Sequence, residues 1–163
     1  MRSDLNWRDA TDADSAGLIE LIGGVYEEYG EVMHTAGADS DLLSVEASYA
    51  GRGGAFIVLE DESGTILGSH ATSPIDPDAG LLTFRRLYLH KSLRGQDVGK
   101  QLMDWAVGWS RDHGYRKVQF WSDTRFERAH AFFSKYGFTN TGETRDMDDG
   151  ALPYSEYFFT MDL

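Results

Sequence analysis

The apolar positions of this chain switch between a strand spacing and a helix spacing, and the switches predict an ordered series of elements. Leu5–Arg8 reads as a short strand. Thr11 follows as a helix N-cap, with Asp12 and Asp14 in the first turn, where carboxylates suit the positive end of the helix dipole. Leu18, Ile22, Val25 and Tyr29 recur at helical spacing with Ile19 and Tyr26 beside them, and Gly30 is the stop. Asp39 or Ser40 caps a second helix reaching about Tyr49. After a glycine-rich break, the runs Ala55–Leu59 and Ile66–His70 flank a DESG turn and read as a hairpin. Pro74 and Pro77 mark a loop before a longer strand, Leu81–Leu89.

The second half is more regular. Val98, Leu102, Trp105, Ala106 and Trp109 form a helical stripe closed by Gly114 as a left-handed cap. Lys117–Trp121 is a strand by its β-branched and aromatic content. Ala129, Phe132, Phe133 and Tyr136 then stand at i, i+3, i+4 and i+7, with Gly137 ending that helix. Two strands follow, near Phe138–Gly142 and Tyr154–Met161. Strand–helix–strand in the centre implies parallel pairing there, and the hairpins imply antiparallel pairing elsewhere. The expectation is an α/β fold on a mixed sheet, in one domain spanning 1–163.

Composition narrows the setting. The 163 residues are 41% hydrophobic and 26% charged, which is ordinary for a soluble globular chain. Cysteine is absent, excluding disulfides, thiolate metal sites and a cysteine nucleophile. No apolar run approaches the ~20 residues of a membrane span. The N-terminus shows no hydrophobic signal core, so a cytoplasmic protein is the expectation.

Charge changes the picture more. Fifteen Lys and Arg against 27 Asp and Glu give −12, which disfavours nucleic acid and anionic membranes as partners. The distribution is uneven: residues 1–84 carry 3 against 16 (−13), residues 85–135 carry 11 against 5 (+6), and residues 136–163 carry 1 against 6 (−5). From charge alone, clustering on solvated faces is the simplest account of the basic centre.

The chemistry concentrates between strand Leu81–Leu89 and the helix beginning near Val98. A helix N-terminus offers unpaired N–H groups and a positive dipole end, which suit a phosphate or pyrophosphate. Gly95 and Gly99 permit close backbone approach, and Arg94 and Lys100 add charge. A Walker A reading fails because Gln101 follows Gly99–Lys100, and a three-glycine Rossmann pattern is absent. His34, His70, His90, His113 and His130 show no zinc spacing, no Gly-x-Ser-x-Gly is present, and the acidic run at 143–150 reads as a solvated loop.

The segments LYLHKSLRGQDVGKQLMDWA and FWSDTRFERAHAFFSKYGF resemble the GNAT superfamily of acyl-CoA-dependent N-acetyltransferases. The family's loop, Arg/Gln-x-x-Gly-x-Gly/Ala, is matched around Arg94, Gly95, Gln96, Asp97, Val98 and Gly99. Its second signature is matched by Ala129, Phe132, Phe133, Gly137 and Phe138. The resemblance implies a mostly antiparallel twisted sheet whose parallel central pair splays around the cofactor, flanked by about four helices. It implies acetyl-CoA as co-substrate and no metal. Leu87, Tyr88 and Leu89 would pair with the pantetheine arm, and amides from Arg94 to Lys100 would hold the pyrophosphate. Ala129, Phe132 and Phe133 would flank it from the other side, with Lys135 near the mouth. The basic segment coincides with that expected anion.

Three positions depart from the pattern. Asp97 replaces a usual glycine and is expected to point outward and cap the helix. Phe133 replaces a tyrosine that protonates the leaving thiolate, leaving Tyr154, Tyr136 and His130 as substitutes. Thr83 replaces a common glutamate base, leaving Glu27, Glu28 and Glu31, with His34 nearby. Glu28 as base and Tyr154 as acid are the chosen pair, and Tyr26, Glu27, Tyr29 and His34 are the expected substrate contacts. The resemblance then implies direct acetyl transfer to a primary amine. The acidic N-terminal half favours a small cationic acceptor. A non-catalytic acyl-CoA-binding domain and a protein lysine or N-terminus as acceptor are the alternatives, and the resemblance also allows a homodimer.

Overall fold

Strands form where β-branched and aromatic residues run between turn signals. In the computed structural model, which describes residues 4–163, they are β1 (Asn6–Asp9), β2 (Ala55–Glu60), β3 (Ile66–Asp76), β4 (Leu81–Leu89), β5 (Lys117–Asp123), β6 (Thr139–Met147) and β7 (Tyr154–Asp162). The helices are α1 (Ser15–Glu28), the single turn α2 (Val45–Ser48), α3 (Val98–Asp112) and α4 (Glu127–Tyr136). Residues 1–3 of the expected domain lie outside the described residues. The strands make one sheet in the order β1-β2-β3-β4-β5-β7-β6. Only β4 and β5 pair in parallel, so the sheet is mixed in the way the element order implies.

Three apolar clusters hold the helices to this sheet, the third joining Val98 and Leu102 of α3 to Ile57 and Leu59 of β2. Leu18 and Ile22 of α1 pack with Leu42, Val45, Tyr49 and Val58 in the first. Met103 and Ala106 of α3 pack with Leu82, Val118, Phe120, Phe133, Phe138 and Phe159 in the second. Gly114, at φ +83°, closes α3 in the left-handed conformation that glycine adopts without steric cost.

The parallel pair is short. Its register covers only Leu81 with Lys117 and Leu82 with Val118, after which the strands part. A bulge accompanies the parting: Ser69 faces Tyr88 while Ala71 faces Arg85, so β4 carries one extra residue. Arg86 occupies it at φ +61°, and Ser69 Oγ donates to its carbonyl at 2.7 Å. A left-handed backbone at a residue with a Cβ costs about 1 kcal/mol, so the surroundings must hold it there.

They do so through the Arg86 side chain, only 5% exposed. Its guanidinium donates from Nε and Nη2 to the two oxygens of Asp41 at 3.0 and 2.5 Å. Nη1 donates to Asp39 at 3.0 Å and to the Tyr26 hydroxyl at 3.2 Å. Nη2 also reaches the Ala38 carbonyl at 3.1 Å. Tyr26 donates to Asp39 at 2.8 Å, and Tyr49 donates to Asp41. One buried cation thereby ties α1, the 38–41 segment and, through Asp41, Tyr49 at the end of α2 to the bulge in β4.

This network corrects the expected helix from Asp39 or Ser40 to Tyr49. Asp39 and Asp41 turn to Arg86 rather than cap, and the segment breaks into a 3-10 turn at Ser40–Leu43, the single turn α2 and another 3-10 turn at Ala50–Arg52. Thr11 precedes a 3-10 turn at Asp12–Asp14 instead of α1 itself. Pro74 lies within β3, beyond the last β2 pairing at Thr72 and opposite Leu82 of β4. Most of the acidic run is strand as well: Glu143–Met147 belongs to β6, an exposed edge on which carboxylates stay solvated.

Burial pushes the Asp41 carboxyl up, but the Arg86 guanidinium outweighs it and holds the group below the usual range. Its contribution to stability is therefore complete above the unfolded value of about 3.9 and is lost as pH falls through the lower folded value. Arg86→Met leaves two carboxylates buried without a cation and should cost roughly 3–5 kcal/mol. Chemical denaturation should show that deficit at pH 7 and a smaller one at pH 4, where the orphaned carboxyls protonate.

Candidate active site

Between β4 and α3 the chain makes a tight turn built by local bonds. His90 accepts from the Ser92 backbone at 3.1 Å, and the Gln96 side chain donates to the Ser92 carbonyl at 2.8 Å. Gly95 and Asp97 take left-handed φ values of +76° and +66°. The turn delivers the α3 N-terminus to a groove of about 390 Å³. Leu87, Tyr88, Leu89, Arg94, Gly95, Asp97, Val98, Gly99 and Lys100 line one wall. Phe126, Arg128, Ala129 and Phe132 line the other. Beyond Leu82 no described strand pairs with the β5-facing edge of β4. The backbone of Leu87–Leu89 thus presents open hydrogen-bonding positions there, as an extended amide-bearing chain requires.

A second cavity, of about 190 Å³, opens where β4 and β5 part. Leu87, Tyr88, Phe126 and Ala129 line both spaces, so the groove and the cavity adjoin. The cavity wall carries Glu31, Asp39, Asp123 and Glu156 against Arg85 and Arg86, with Tyr154, Trp121 and Ser122 between them. Arg125 bridges Glu31 and Asp123 at 2.6 Å each. Arg145 donates from Nε and Nη2 to the same Glu156 oxygen, at 2.9 and 2.7 Å. Burial raises the Glu156 carboxyl despite that pairing, and Asp149 and Asp123 add to the rise. His70 lines the inner wall, where burial lowers its pKa to about 4 and Nδ1 lies 3.1 Å from the Leu102 carbonyl.

The structure distributes the expected site residues unevenly. Leu87–Leu89, Arg94, Gly95, Asp97–Lys100, Ala129 and Phe132 meet at the groove. Gln96 and Lys135 are exposed and line neither space. Phe133 lines the cavity from the core, against Phe120 and Phe159. Asp97 is exposed but makes no capping bond, because its left-handed backbone turns the side chain off the N2 and N3 amides.

The acceptor wall needs more correction. Glu28 does not face the cavity. It takes both terminal nitrogens of Arg94 at 2.8 and 2.5 Å and Arg128 at 3.4 Å, and Arg94 holds its carboxyl below the usual range, which makes it a poor base. Tyr154 does line the cavity, but its hydroxyl donates to Asp149 at 2.6 Å. Tyr26 lines it with its hydroxyl engaged by Asp39. Tyr29 belongs to the groove, where its hydroxyl accepts from Arg128 at 3.2 Å. Glu27 is exposed on the outer face of α1, and His34 stands in the loop whose backbone N–H binds Asp39 at 2.8 Å. The residues that do surround the cavity, Arg86, Asp123 and Glu156, carried no sequence motif. Their only signal was an unusual density of charge beside strand ends.

A family model described as an acetyltransferase (GNAT) domain matches residues 52–140. The chain belongs to the GNAT family. N-acetyltransferase 8 of Rattus norvegicus is 30% identical over 129 residues, covering 76% of this chain and 55% of that protein. N-acetyltransferase 8F1 of the same organism is 30% identical over 107 residues, 64% of this chain and 48% of that protein. The chain spans about half the length of these curated relatives. A GNAT-family acetyltransferase structure from Staphylococcus aureus superposes with a TM-score of 0.80 at 20% identity, covering 97% of this chain and 98% of that one. A GNAT phosphinothricin acetyltransferase from Sinorhizobium meliloti, in complex with AcCoA, gives 0.74 at 20% identity over 98% and 89%.

In this GNAT domain Asp97 places an exposed carboxylate at the N-terminus of α3, beside amides that would meet an anion in the groove. One exposed charge at such a distance is worth at most about 1 kcal/mol. Asp97→Asn keeps a side chain that tolerates the left-handed region and removes the charge. Calorimetric titration with CoA should show roughly two- to fivefold tighter binding, fading at high salt as exposed charges are screened.

Proposed function

We propose that this chain transfers an acetyl group from acetyl-CoA to a primary amine, and that the acceptor is a small cationic amine. One observation carries the reading: an anion-suited groove and a carboxylate-rimmed cavity adjoin at the parting of β4 and β5. The names of the rat relatives and the AcCoA-bound S. meliloti neighbour support the donor.

In this reading the donor supplies the activated thioester carbonyl. The open β4 backbone at Leu87–Leu89 binds and aligns its arm, and an N–H near Leu89 stabilises the developing oxyanion. Arg94, Lys100 and the α3 amides hold the phosphates, while Phe126, Ala129 and Phe132 exclude water along the apolar stretch. The charged residues lining the cavity are Glu31, Asp39, Asp123 and Glu156 against Arg85 and Arg86, and Arg125 and Arg145 pair with three of these acids. A cationic amine is therefore favoured by carboxylate oxygens as hydrogen-bond acceptors rather than by net charge. Much of the acceleration is then positioning of two reactants in one continuous space.

Phe133, which has no proton to give, favours a second reading as an acyl-CoA-binding domain without catalysis. Thiol release from acetyl-CoA across a panel of cationic, neutral and anionic amines separates the two. Release with cationic amines, with an acceptor KM that rises with salt, is expected. Preference for anionic acceptors removes the carboxylate argument, and CoA binding with no release from any amine favours the second reading. Glu156→Gln should raise the cationic acceptor's KM roughly tenfold, a loss of about 1.4 kcal/mol, and leave CoA affinity unchanged.

A further inference from the structure

Every carboxylate lining the cavity already holds an arginine: Glu31 and Asp123 share Arg125, Asp39 holds Arg86, and Glu156 holds Arg145. An arginine partner opposes protonation, since protonation breaks an ion pair, although burial still raises the Glu156 carboxyl. A different kind of acceptor stands on the same wall. Ser122, at the β5 end, lines the cavity, and its Oγ lies 3.0 Å from Nε2 of His130 on α4. Two elements that meet beside the groove thus bring a hydroxyl and an imidazole into hydrogen-bond contact.

The surroundings of His130 fit proton exchange. Its ring is half-buried, with the Tyr157 and Phe159 rings of β7 at 5.5 and 5.1 Å and the Phe133 ring at 6.2 Å. The charged groups facing it are Asp123 from β5 and Glu127 from its own helix. Both favour the charged ring, but partial burial outweighs them and lowers its pKa. The ring is therefore neutral near pH 7 and still close enough to solvent to take a proton. His70, the imidazole that lines the cavity directly, is wholly buried, and its Nδ1 is engaged by the Leu102 carbonyl, whereas His130 reaches the cavity through Ser122.

We propose that Ser122 and His130 form a proton relay that serves this cavity in place of the acid and base that Phe133 and Thr83 do not supply. The proposal rests on the acetyl-transfer reading. The acceptor ammonium first loses one proton to solvent. Its nitrogen lone pair then forms a C–N bond to the thioester carbonyl carbon, and the carbonyl π pair moves to oxygen. The nitrogen passes a proton to Ser122 Oγ as the Ser122 hydroxyl proton moves to His130 Nε2. The oxygen pair re-forms the carbonyl, the C–S bond breaks, and its electron pair leaves on sulfur. The relay runs back to protonate that thiolate, so amide and free thiol form and the pair returns to its starting state.

Ser122→Ala, His130→Gln, the double variant and Ser122→Thr test this with acetyl-CoA and the best amine of the panel. Ser122→Ala and His130→Gln should each lower kcat about 100-fold or more, with CoA affinity by calorimetry unchanged. The double variant should be no worse than the singles, because the two act as one unit. Ser122→Thr retains the hydroxyl and should keep most of the rate. The wild-type kcat should fall at acidic pH as His130 protonates, and this limb should be missing in His130→Gln. Should His130→Gln not fold, Ser122→Ala against Ser122→Thr decides alone. Folded variants with wild-type kcat and an unaltered pH profile overturn the relay while leaving acetyl transfer standing. A wild-type protein that binds CoA and releases no thiol with any amine overturns both.

Discussion

The buried guanidinium of Arg86 is the constraint on which the rest of this molecule depends. A cation in an apolar core is tolerated only when anions and hydrogen-bond acceptors surround it, and here two carboxylates, a phenol and a backbone carbonyl do so. Those partners come from separate stretches of chain. Satisfying one charge therefore fixes the end of α1, the 38–41 segment and the bulge in β4 relative to one another. It also holds a non-glycine residue in the left-handed region, which keeps the bulge in place.

The bulge lies where the site begins. With β4 and β5 paired over only two residues before they part, the sheet contains an opening with unpaired backbone along one edge. Parallel pairing at the base requires the crossover through α3, so the N-terminus of that helix arrives at the same opening. The groove and the cavity are two consequences of one topological event, and Phe126, in contact with Tyr26, Tyr29 and Tyr88, stands between them.

Charge is organised on the same plan. Arginines from the basic central segment act on both sides of the opening. Arg94 and Arg128 stand at the groove and share Glu28, while Arg86 and Arg125 gather the carboxylates of the cavity wall. The uneven charge along the chain thus becomes a paired network in space, in which few of the site's acids are free of a cation. Such pairing leaves the electrostatic preference of the site to small imbalances and to the contact of the lining residue Ser122 with His130.

Much was legible in the chain itself. Residue patterning located α1, α3 and α4 and, with shifted bounds, the seven described strands, because amphipathic spacing reports which face of each element is buried. Arg94, Gly95 and Asp97–Gly99 of the loop and Ala129 and Phe132 of the stripe do meet at the groove, since such a turn uses local glycines and its own helix N-terminus. What sequence could not determine was anything assembled from distant residues. Glu28 sits in a stretch rich in acid and aromatic residues, yet Arg94 captures it, 66 positions away. Asp39 looked like a cap until a buried arginine claimed it, and Ser122 and His130 became a pair only when α4 packed on β5. Local backbone chemistry is written in neighbouring residues, whereas the ownership of each charge and proton is settled by which side chains the folded sheet brings within about 3 Å.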